Sequence, residues 1–232
     1  MDAAREQQVA MLAKRTLQPQ VYLQAGQVSG LNDLNAPWQP LGPTQVASIA
    51  YGKVTGRVTS IAIDPADTSG NTIYLGTTGG GVWKSVNAAG PATGVTFAPL
   101  TDTLPVFSAN AGTPIIPSLS IGAVSVQPGA QLGVVLAGTG DPNDATDSFY
   151  GNGILRSPDR GSTWTLIRQS NDGSSGSHSF LGLGFSGFAW SSTSPDTVVA
   201  AVSQAAEGAL VNAPDTANSV MGLYYSTDAG VT

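Results

Sequence analysis

A sequence unit of roughly 65–70 residues recurs along the chain, and this recurrence restricts the fold more than any other feature. Each unit opens with a β-rich run that ends at a proline, and a second β-rich run follows it. The opening runs occupy residues 56–65, 120–128 and 187–195, and the second runs occupy residues 72–78, 133–139 and 197–203. A chain with this period is expected to stack one supersecondary unit on the next.

Two further short runs complete the unit. The third run lies at residues 81–85, 153–157 and 222–226, and a fourth is visible at residues 96–100 and 163–167. Four short strands joined by Gly, Pro and Asp turns describe one blade of a β-propeller, in which each sheet packs face to face on the next. The sequence therefore predicts an all-β fold, a β-propeller of four-stranded antiparallel blades, with a β-sandwich or a parallel β-helix as the alternatives.

The predicted organisation is a partial ring of about three blades. Residues 1–35 are expected to form an N-terminal arm, either a short helix or disordered, and residues 36–232 the propeller. Residues 36–41 match the fourth-strand pattern and are assigned to the outer strand of a closing blade. Blade one is assigned to residues 56–101, blade two to residues 119–168 and an incomplete blade three to residues 182–232. The chain is thus expected to be a fragment, with the other blades outside it and apolar sheet faces open to water.

Composition excludes several classes of function. The net charge is −6 and no basic stripe is present, so nucleic acid is excluded as a partner. Cysteine is absent, which excludes disulfides and thiolate metal sites. No apolar run is long enough to span a membrane, and residues 1–20 lack the apolar centre of a signal peptide.

An eight-residue motif marks the turn between the third and fourth runs of the second unit. It matches the Asp-box pattern Ser-x-Asp-x-Gly-x-Thr-Trp at Ser157, Asp159, Gly161, Thr163 and Trp164. The same box recurs in the third unit at Ser226, Asp228 and Gly230, and a degenerate copy in the first unit carries Asn87. The Asp side chain is expected to accept backbone hydrogen bonds and the Trp to anchor the turn, so these residues are interpreted as structural.

These motifs resemble those of the Asp-box, or BNR-repeat, β-propeller superfamily. That superfamily includes sialidases, xyloglucan-cleaving glycoside hydrolases and sortilin-type receptors. The closest similarity is to bacterial BNR-repeat proteins, and it is carried by residues 38–43, 56–58 and 76–85 in addition to the boxes. The resemblance covers residues 36–232 and implies a propeller. Activity does not follow from it, because the superfamily mixes enzymes with binding proteins.

The two enzymatic relatives differ from this chain at their catalytic motifs. In the xyloglucan-cleaving enzymes a blade-one motif supplies a catalytic Asp, and the corresponding position here holds Thr78. The arginine triad of sialidases is not recognisable. Arg57 opens an inner strand and is interpreted either as a ligand-binding residue or as a partner of a carboxylate or of inter-blade carbonyls. The catalytic residues, if the protein is an enzyme, remain unknown.

The loop after the second run of blade two is the strongest candidate for a binding site. Its carboxylates, Asp141, Asp144 and Asp147, could gather around Ca²⁺, which prefers oxygen ligands. The same loop could instead bind a glycan or peptide, or be a solvated turn. Phe149 and Tyr150 could stack on a sugar ring or pack beneath the loop.

The function predicted from the sequence is a non-catalytic Asp-box propeller that binds a carbohydrate or protein partner. The alternative is a sialidase-like or xyloglucanase-like glycoside hydrolase whose catalytic residues lie largely in other blades. No cofactor is expected apart from possible Ca²⁺, and the oligomeric state is left open. An extracellular or cell-envelope location is expected, although no signal peptide is seen in these residues.

Overall fold

The computed structural model describes residues 46–49, 52–54, 56–102, 104, 119–129, 133–142, 149–172, 176–205 and 219–232. The predicted arm (residues 1–35) and the predicted outer strand (residues 36–41) lie outside this set. The described residues belong to one compact unit. No helix among them is long and apolar enough to cross a membrane.

Three antiparallel sheets follow one another along the chain. The first contains β3 (Val58–Ile63), β4 (Ile73–Thr77), β5 (Gly81–Ser85) and β6 (Ala98–Pro99). The second contains β7 (Ile121–Val126), β8 (Val135–Thr139), β9 (Ile154–Ser157) and β10 (Thr165–Ile167). The third contains β11 (Leu183–Trp190), β12 (Val198–Gln204) and β13 (Gly222–Ser226). A separate hairpin, β1 (Val46–Ser48) and β2 (Gly52–Val54), and a short 3-10 turn, Ala92–Gly94, complete the described elements.

Each sheet is a meander in which neighbouring strands are also neighbours in sequence. The shortest connections, such as residues 78–80 between β4 and β5, cannot make the crossover that parallel strands need, so those pairs must be antiparallel. The all-β prediction is therefore confirmed, and so is its coarser architecture of successive antiparallel sheets with three or four strands.

The second sheet is buried on both of its faces. Along β8, Val135 and Ala137 pack with residues of the first sheet, whereas Leu136 packs with residues of the third. Side chains alternate between the two faces of a strand, so consecutive residues enter different cores. This explains why β8 is buried at every position and carries no polar side chain before Thr139. The three sheets are thus stacked face to face, with the second in the middle.

A bulge at the same place in each opening strand sets how closely the sheets approach. The register shifts fall between Val58 and Ser60, Ile121 and Ala123, and Phe185 and Gly187. In the second and third sheets the residue before the bulge lies over a glycine of the preceding sheet. A Cβ on Gly76 would lie 2.7 Å from Cγ2 of Ile121, and one on Gly138 would lie 2.2 Å from Cβ of Phe185. Glycine is required at both positions because any side chain would collide with the next sheet.

The outermost faces of the stack carry exposed apolar side chains. On the third sheet, Leu223 and Tyr225 are each 77% exposed, and on the first sheet Ile61 is 64% and Ile63 is 62% exposed. Apolar residues usually avoid this exposure, since each loses the free energy of transfer from water. One apolar face at each end of the described stack is therefore open to water.

Candidate functional site

Arg57, Thr78 and Asp141, which the sequence analysis singled out, lie together at one end of the first two sheets. Arg57 immediately precedes β3, Thr78 immediately follows β4, and Asp141 lies two residues after β8. The antiparallel pairing places the start of β3 beside the end of β4. Stacking of the second sheet on the first then brings the end of β8 to the same place.

The Asp141 carboxylate is completely buried and is shared between two partners. Its Oδ2 lies 3.2 Å from Nη2 of Arg57 and accepts a hydrogen bond of 3.2 Å from the Thr78 hydroxyl. The Thr78 oxygen in turn accepts a 3.2 Å hydrogen bond from Nε of Arg57. A buried carboxylate needs such partners because desolvation without them is costly. The arginine is thereby oriented while 48% of its side chain stays exposed.

The predicted binding loop leaves and returns to the sheets at this carboxylate. The backbone N–H of Asp141 donates to the carbonyl of Phe149 at 2.7 Å, which closes the base of the loop. The Phe149 and Tyr150 rings stack with centroids 4.9 Å apart and planes 22° apart. Tyr150 is buried whereas Phe149 is 41% exposed. The loop therefore presents one aromatic face to solvent, supported from beneath by the other ring.

The calcium prediction involves residues that lie partly outside the described set. Asp144 and Asp147 fall between residues 142 and 149 and are not described. Within the described part of the chain, no three or more acidic or histidine side chains are grouped closely enough to hold a metal ion. The Ca²⁺ site thus stays a prediction.

A buried threonine that the sequence reasoning missed holds the returning end of the loop. The Thr139 hydroxyl, at the end of β8, donates to the Gly153 carbonyl at 2.7 Å. It also accepts from the backbone N–H groups of Asn152 at 2.8 Å and Gly153 at 3.0 Å. The available signal was a Gly-Thr pair in the second run of the first two units, since Thr77 makes the equivalent bond to the Gly81 carbonyl at 2.8 Å.

The Asp-box turn lies at the opposite end of the second sheet. Ser157, where the turn begins, is paired with Val135 at the start of β8, whereas Asp141 follows the end of that strand. Asp159 accepts bonds of 2.8 Å from the Ser157 hydroxyl and the Thr163 N–H, and one of 2.6 Å from the Thr163 hydroxyl. Its carboxylate oxygens thus organise the turn, as a structural role requires.

The remaining box residues tie the turn to neighbouring structure. Gly161 has a φ of +94° and donates its N–H to the Ser157 hydroxyl at 2.7 Å. Trp164 is 8% exposed, packs in the core between the first two sheets and donates from Nε1 to the Gly161 carbonyl at 3.1 Å. The Arg160 carbonyl accepts a 2.9 Å bond from Nζ of Lys84 in the first sheet. The turn is thereby fastened to its own sheet and to the preceding one.

The other two boxes repeat this geometry. Asp228 accepts from the Ser226 hydroxyl, from the Thr232 N–H at 3.0 Å and from the Thr232 hydroxyl at 2.6 Å, while Gly230 donates its N–H to the Ser226 hydroxyl at 2.9 Å. In the first sheet, Asn87 accepts from the Ser85 hydroxyl and the Thr96 N–H, each at 3.0 Å. The amide oxygen of Asn87 thus replaces a carboxylate oxygen, and the turn forms without a charge.

The boxes are expected to make stability depend on pH in the acid range. Burial alone would raise the pKa of Asp228, but hydrogen bonds from Ser226 and Thr232 outweigh it and lower the pKa from 3.8 to about 2. The pKa of Asp159 is lowered in the same way. A lowered pKa means that the stabilisation is present above the ordinary value of 3.8 and is lost as the pH falls through about 2.

We therefore expect the double substitution Asp159→Asn with Asp228→Asn to flatten the loss of stability in this acid window. Asn87 shows that an amide supports the turn, so the variant is expected to fold. Urea midpoints measured at neutral pH and in steps down to about pH 2 test this. Asp102→Asn, outside the boxes, is the control. Equal acid sensitivity of the double variant and the native chain would contradict the assignment.

A cavity of about 710 Å³ lies between the second and third sheets. Its walls include Leu136, Ile167 and Tyr224. Gly230 approaches Leu136 here, just as Gly161 approaches Tyr74 in the preceding pair of sheets. The cavity therefore lies where Trp164 packs one sheet earlier. His178, near its mouth, pairs through Nδ1 with the Asp172 carboxylate.

Comparison with known proteins finds distant structural similarity only. A scan against protein-family models and a search of curated proteins give no match. Among solved structures, an ancestral GH74 enzyme is similar at 20% identity and a TM-score of 0.46, over 75% of this chain and 18% of that one. The GH74 xyloglucanase from Xanthomonas campestris is similar at 19% identity and a TM-score of 0.37, over 75% of this chain and 22% of that enzyme. The chain thus spans about a fifth of the length of either enzyme, and at these scores the similarity assigns neither a family nor an activity.

Proposed function

We propose that this chain is an arc of an Asp-box β-propeller that binds a carbohydrate, without cleaving it, at the end of the sheets where Arg57, Asp141 and Phe149 meet. We also propose a location outside the cytoplasm. The three hydrogen-bonded box turns and the stacked meanders support membership of the superfamily.

The burial and the hydrogen bonds of the Asp141 carboxylate are the main support for a non-catalytic role. Hydrolysis of a glycosidic bond by the usual route needs two carboxylates that can reach the bond or a water molecule. Asp141 is completely buried, and its Oδ2 is engaged by Arg57 and Thr78. Thr78 itself occupies the position of the catalytic Asp in the xyloglucan-cleaving relatives, and a hydroxyl cannot act as the general acid or base.

The neighbouring groups favour a sugar as the ligand. The exposed face of Phe149 can stack on the apolar face of a sugar ring, and Tyr150 holds it in place. The Arg57 side chain is 48% exposed and is oriented by Asp141, so it places a positive charge at this end of the sheets that can attract sugar hydroxyls. An aromatic face with a few oriented polar groups is the usual composition of a small-ligand site.

Calorimetric titration of the chain with xyloglucan oligosaccharides, cello-oligosaccharides and sialyllactose tests this proposal. We expect binding of at least one sugar class without release of reducing ends, and Phe149→Ala is expected to weaken it by at least about tenfold. Met221→Ala, which removes another exposed apolar side chain, is the control and should bind normally. Failure of every glycan to bind would contradict the proposal and favour a protein ligand.

The alternative is a glycoside hydrolase, and one observation gives it a specific test. An exposed carboxylate, Asp102, lies beside Gly81 in the turn at the same end of the first sheet. If reducing ends are released from xyloglucan and Asp102→Asn stops the release while the fold is retained, the enzymatic function replaces the one proposed.

A further inference from the structure

The binding loop, residues 141–150, starts at two consecutive residues that contact different neighbouring sheets. Asp141 contacts the first sheet, where its carboxylate accepts a hydrogen bond from the Thr78 hydroxyl. Pro142 contacts the third sheet, since a Cβ added to Gly184 would lie 3.1 Å from Cβ of Pro142. The start of a loop that belongs to the second sheet is therefore held by both of the sheets that pack against it.

The end of the binding loop is also held by the third sheet. The Gly151 N–H donates to the Leu183 carbonyl at 2.9 Å, and the Gly151 carbonyl accepts from the Gly182 N–H at 2.9 Å. The bond of 2.7 Å from the Asp141 N–H to the Phe149 carbonyl joins the start of the loop to its end. A displacement of either anchored end therefore reaches the backbone of Phe149.

On the side of the first sheet, the Thr78 hydroxyl links the sheet to the loop. It donates to Oδ2 of Asp141 and accepts from Nε of Arg57, each at 3.2 Å. The backbone N–H of Thr78 also donates to the Arg57 carbonyl at 3.0 Å, which fixes the position of the hydroxyl. Because Asp141 is completely buried, bulk water cannot replace a donor that is removed. The orientation of Asp141 therefore depends on the hydroxyl of Thr78.

On the side of the third sheet, Gly184 leaves the space that the Pro142 ring occupies. A Cβ at residue 184 would lie 2.8 Å from Cβ of Ala205 and 3.1 Å from Cβ of Pro142. On the second sheet, a Cβ at Gly122 would lie 2.9 Å from Cδ of the same ring. Neither a Cβ atom nor a proline ring can rotate away from such a contact. A methyl group at residue 184 would therefore displace the start of the loop.

We propose that Thr78 and Gly184 are positioning residues for sugar binding, which hold the binding loop in the orientation that presents Phe149 to the ligand. Thr78 acts through Asp141 and Gly184 acts through Pro142, so neither has to touch the sugar. The inference rests on the carbohydrate function proposed above. A loop held in its binding conformation avoids the cost of ordering on association, so affinity should fall when either anchor is lost.

Amide hydrogen exchange measured by NMR tests the first anchor without any ligand. Thr78→Val removes the hydroxyl at nearly constant volume and is expected to speed exchange of the Asp141 N–H by at least about tenfold. Thr78→Ser keeps the hydroxyl and should restore slow exchange. The Gln127 N–H, which bonds to the Val134 carbonyl at the other end of the second sheet, is the internal control. Its rate should stay unchanged, whereas a general loss of stability would raise both rates.

Gly184→Ala tests the second anchor and is expected to speed exchange of the same Asp141 N–H by a similar factor. Gly187→Ala is the matched control, since it lies in the same strand and its Cβ would meet no atom within 4 Å. Affinity is then measured with whichever of xyloglucan oligosaccharides, cello-oligosaccharides and sialyllactose binds the native chain most tightly. Thr78→Val and Gly184→Ala are each expected to weaken it by at least about fivefold, and Thr78→Ser and Gly187→Ala to leave it unchanged.

The two measurements separate this inference from the carbohydrate proposal. Unchanged exchange of the Asp141 N–H in both Thr78→Val and Gly184→Ala would overturn the inference, even if sugars bind. Faster exchange with native affinity in both variants would overturn it as well, because the anchors would then not serve binding. If no sugar binds the native chain but exchange is faster in both variants, the anchoring of the loop is supported and the carbohydrate function alone is contradicted.

Discussion

Replacing Gly138 by alanine is expected to lower the free energy of unfolding by about 3 kcal/mol. The new Cβ would lie 2.2 Å from Cβ and 2.4 Å from Cγ of Phe185, which is itself fully buried. Phe185 cannot rotate away because its own Cβ is the nearest atom. The second and third sheets must therefore move apart along their whole interface. Urea unfolding monitored by tryptophan fluorescence measures the loss.

Gly187→Ala is the matched control for this substitution. Gly187 also lies in a strand, and a Cβ added there meets no atom within 4 Å. Its replacement is expected to change the free energy of unfolding by less than about 0.5 kcal/mol. If the two variants were equally stable, the close approach of Phe185 to the second sheet would be wrong.

Replacing Trp164 by alanine is expected to cost about 3–5 kcal/mol, the range for removing a large buried aromatic side chain. The ring is 8% exposed and packs between the first and second sheets, and its Nε1–H donates to the Gly161 carbonyl. Its removal leaves a cavity in that core and releases the box turn. Thermal and urea unfolding of the variant measure the loss.

Trp164→Phe separates the two contributions of the tryptophan. Phenylalanine retains most of the buried apolar surface but lacks the donor to Gly161, so we expect a smaller loss of about 1–2 kcal/mol. Equal losses for the alanine and phenylalanine variants would mean that the hydrogen bond, and not the packing, holds the turn.

The strands were predictable because their signal is local. The opening runs of the first two units, residues 56–65 and 120–128, contain the observed strands Val58–Ile63 and Ile121–Val126. The third run, at residues 187–195, was placed too late, since the strand is observed at Leu183–Trp190. Apolar residues flanked by Gly, Pro and Asp specify an extended segment and its turns through neighbouring residues. Repetition of the pattern in three units removed the usual ambiguity of a single run.

The box turns were predictable for the same reason. All the groups that bond Asp159 lie within four residues of it along the chain. A spacing pattern in the sequence therefore contains nearly the whole interaction. The pattern does not contain the hydrogen bond from Lys84 of the preceding sheet to the Arg160 carbonyl of the turn.

The ligand-site geometry could not be obtained in this way. The sequence marked Arg57 and Asp141 separately, with several interpretations each, and did not pair them. They are 84 residues apart, and their contact exists only because the second sheet stacks on the first in one register. Thr139 was missed because the repeated Gly-Thr pair does not itself show which backbone groups the threonine hydroxyl bonds, and Gly153 is 14 residues away in the chain.

The sequence by itself determined the repeat, the strand order, the box turns and the all-β class, because these depend on residues close together in the chain. The tertiary structure alone decided that Arg57 pairs with Asp141. It alone also placed Ile121 over Gly76 and Phe185 over Gly138. The same stacking leaves exposed apolar side chains on one face of the third sheet and on one face of the first. Those features depend on the distance and rotation between stacked sheets, which side chains from distant segments set together.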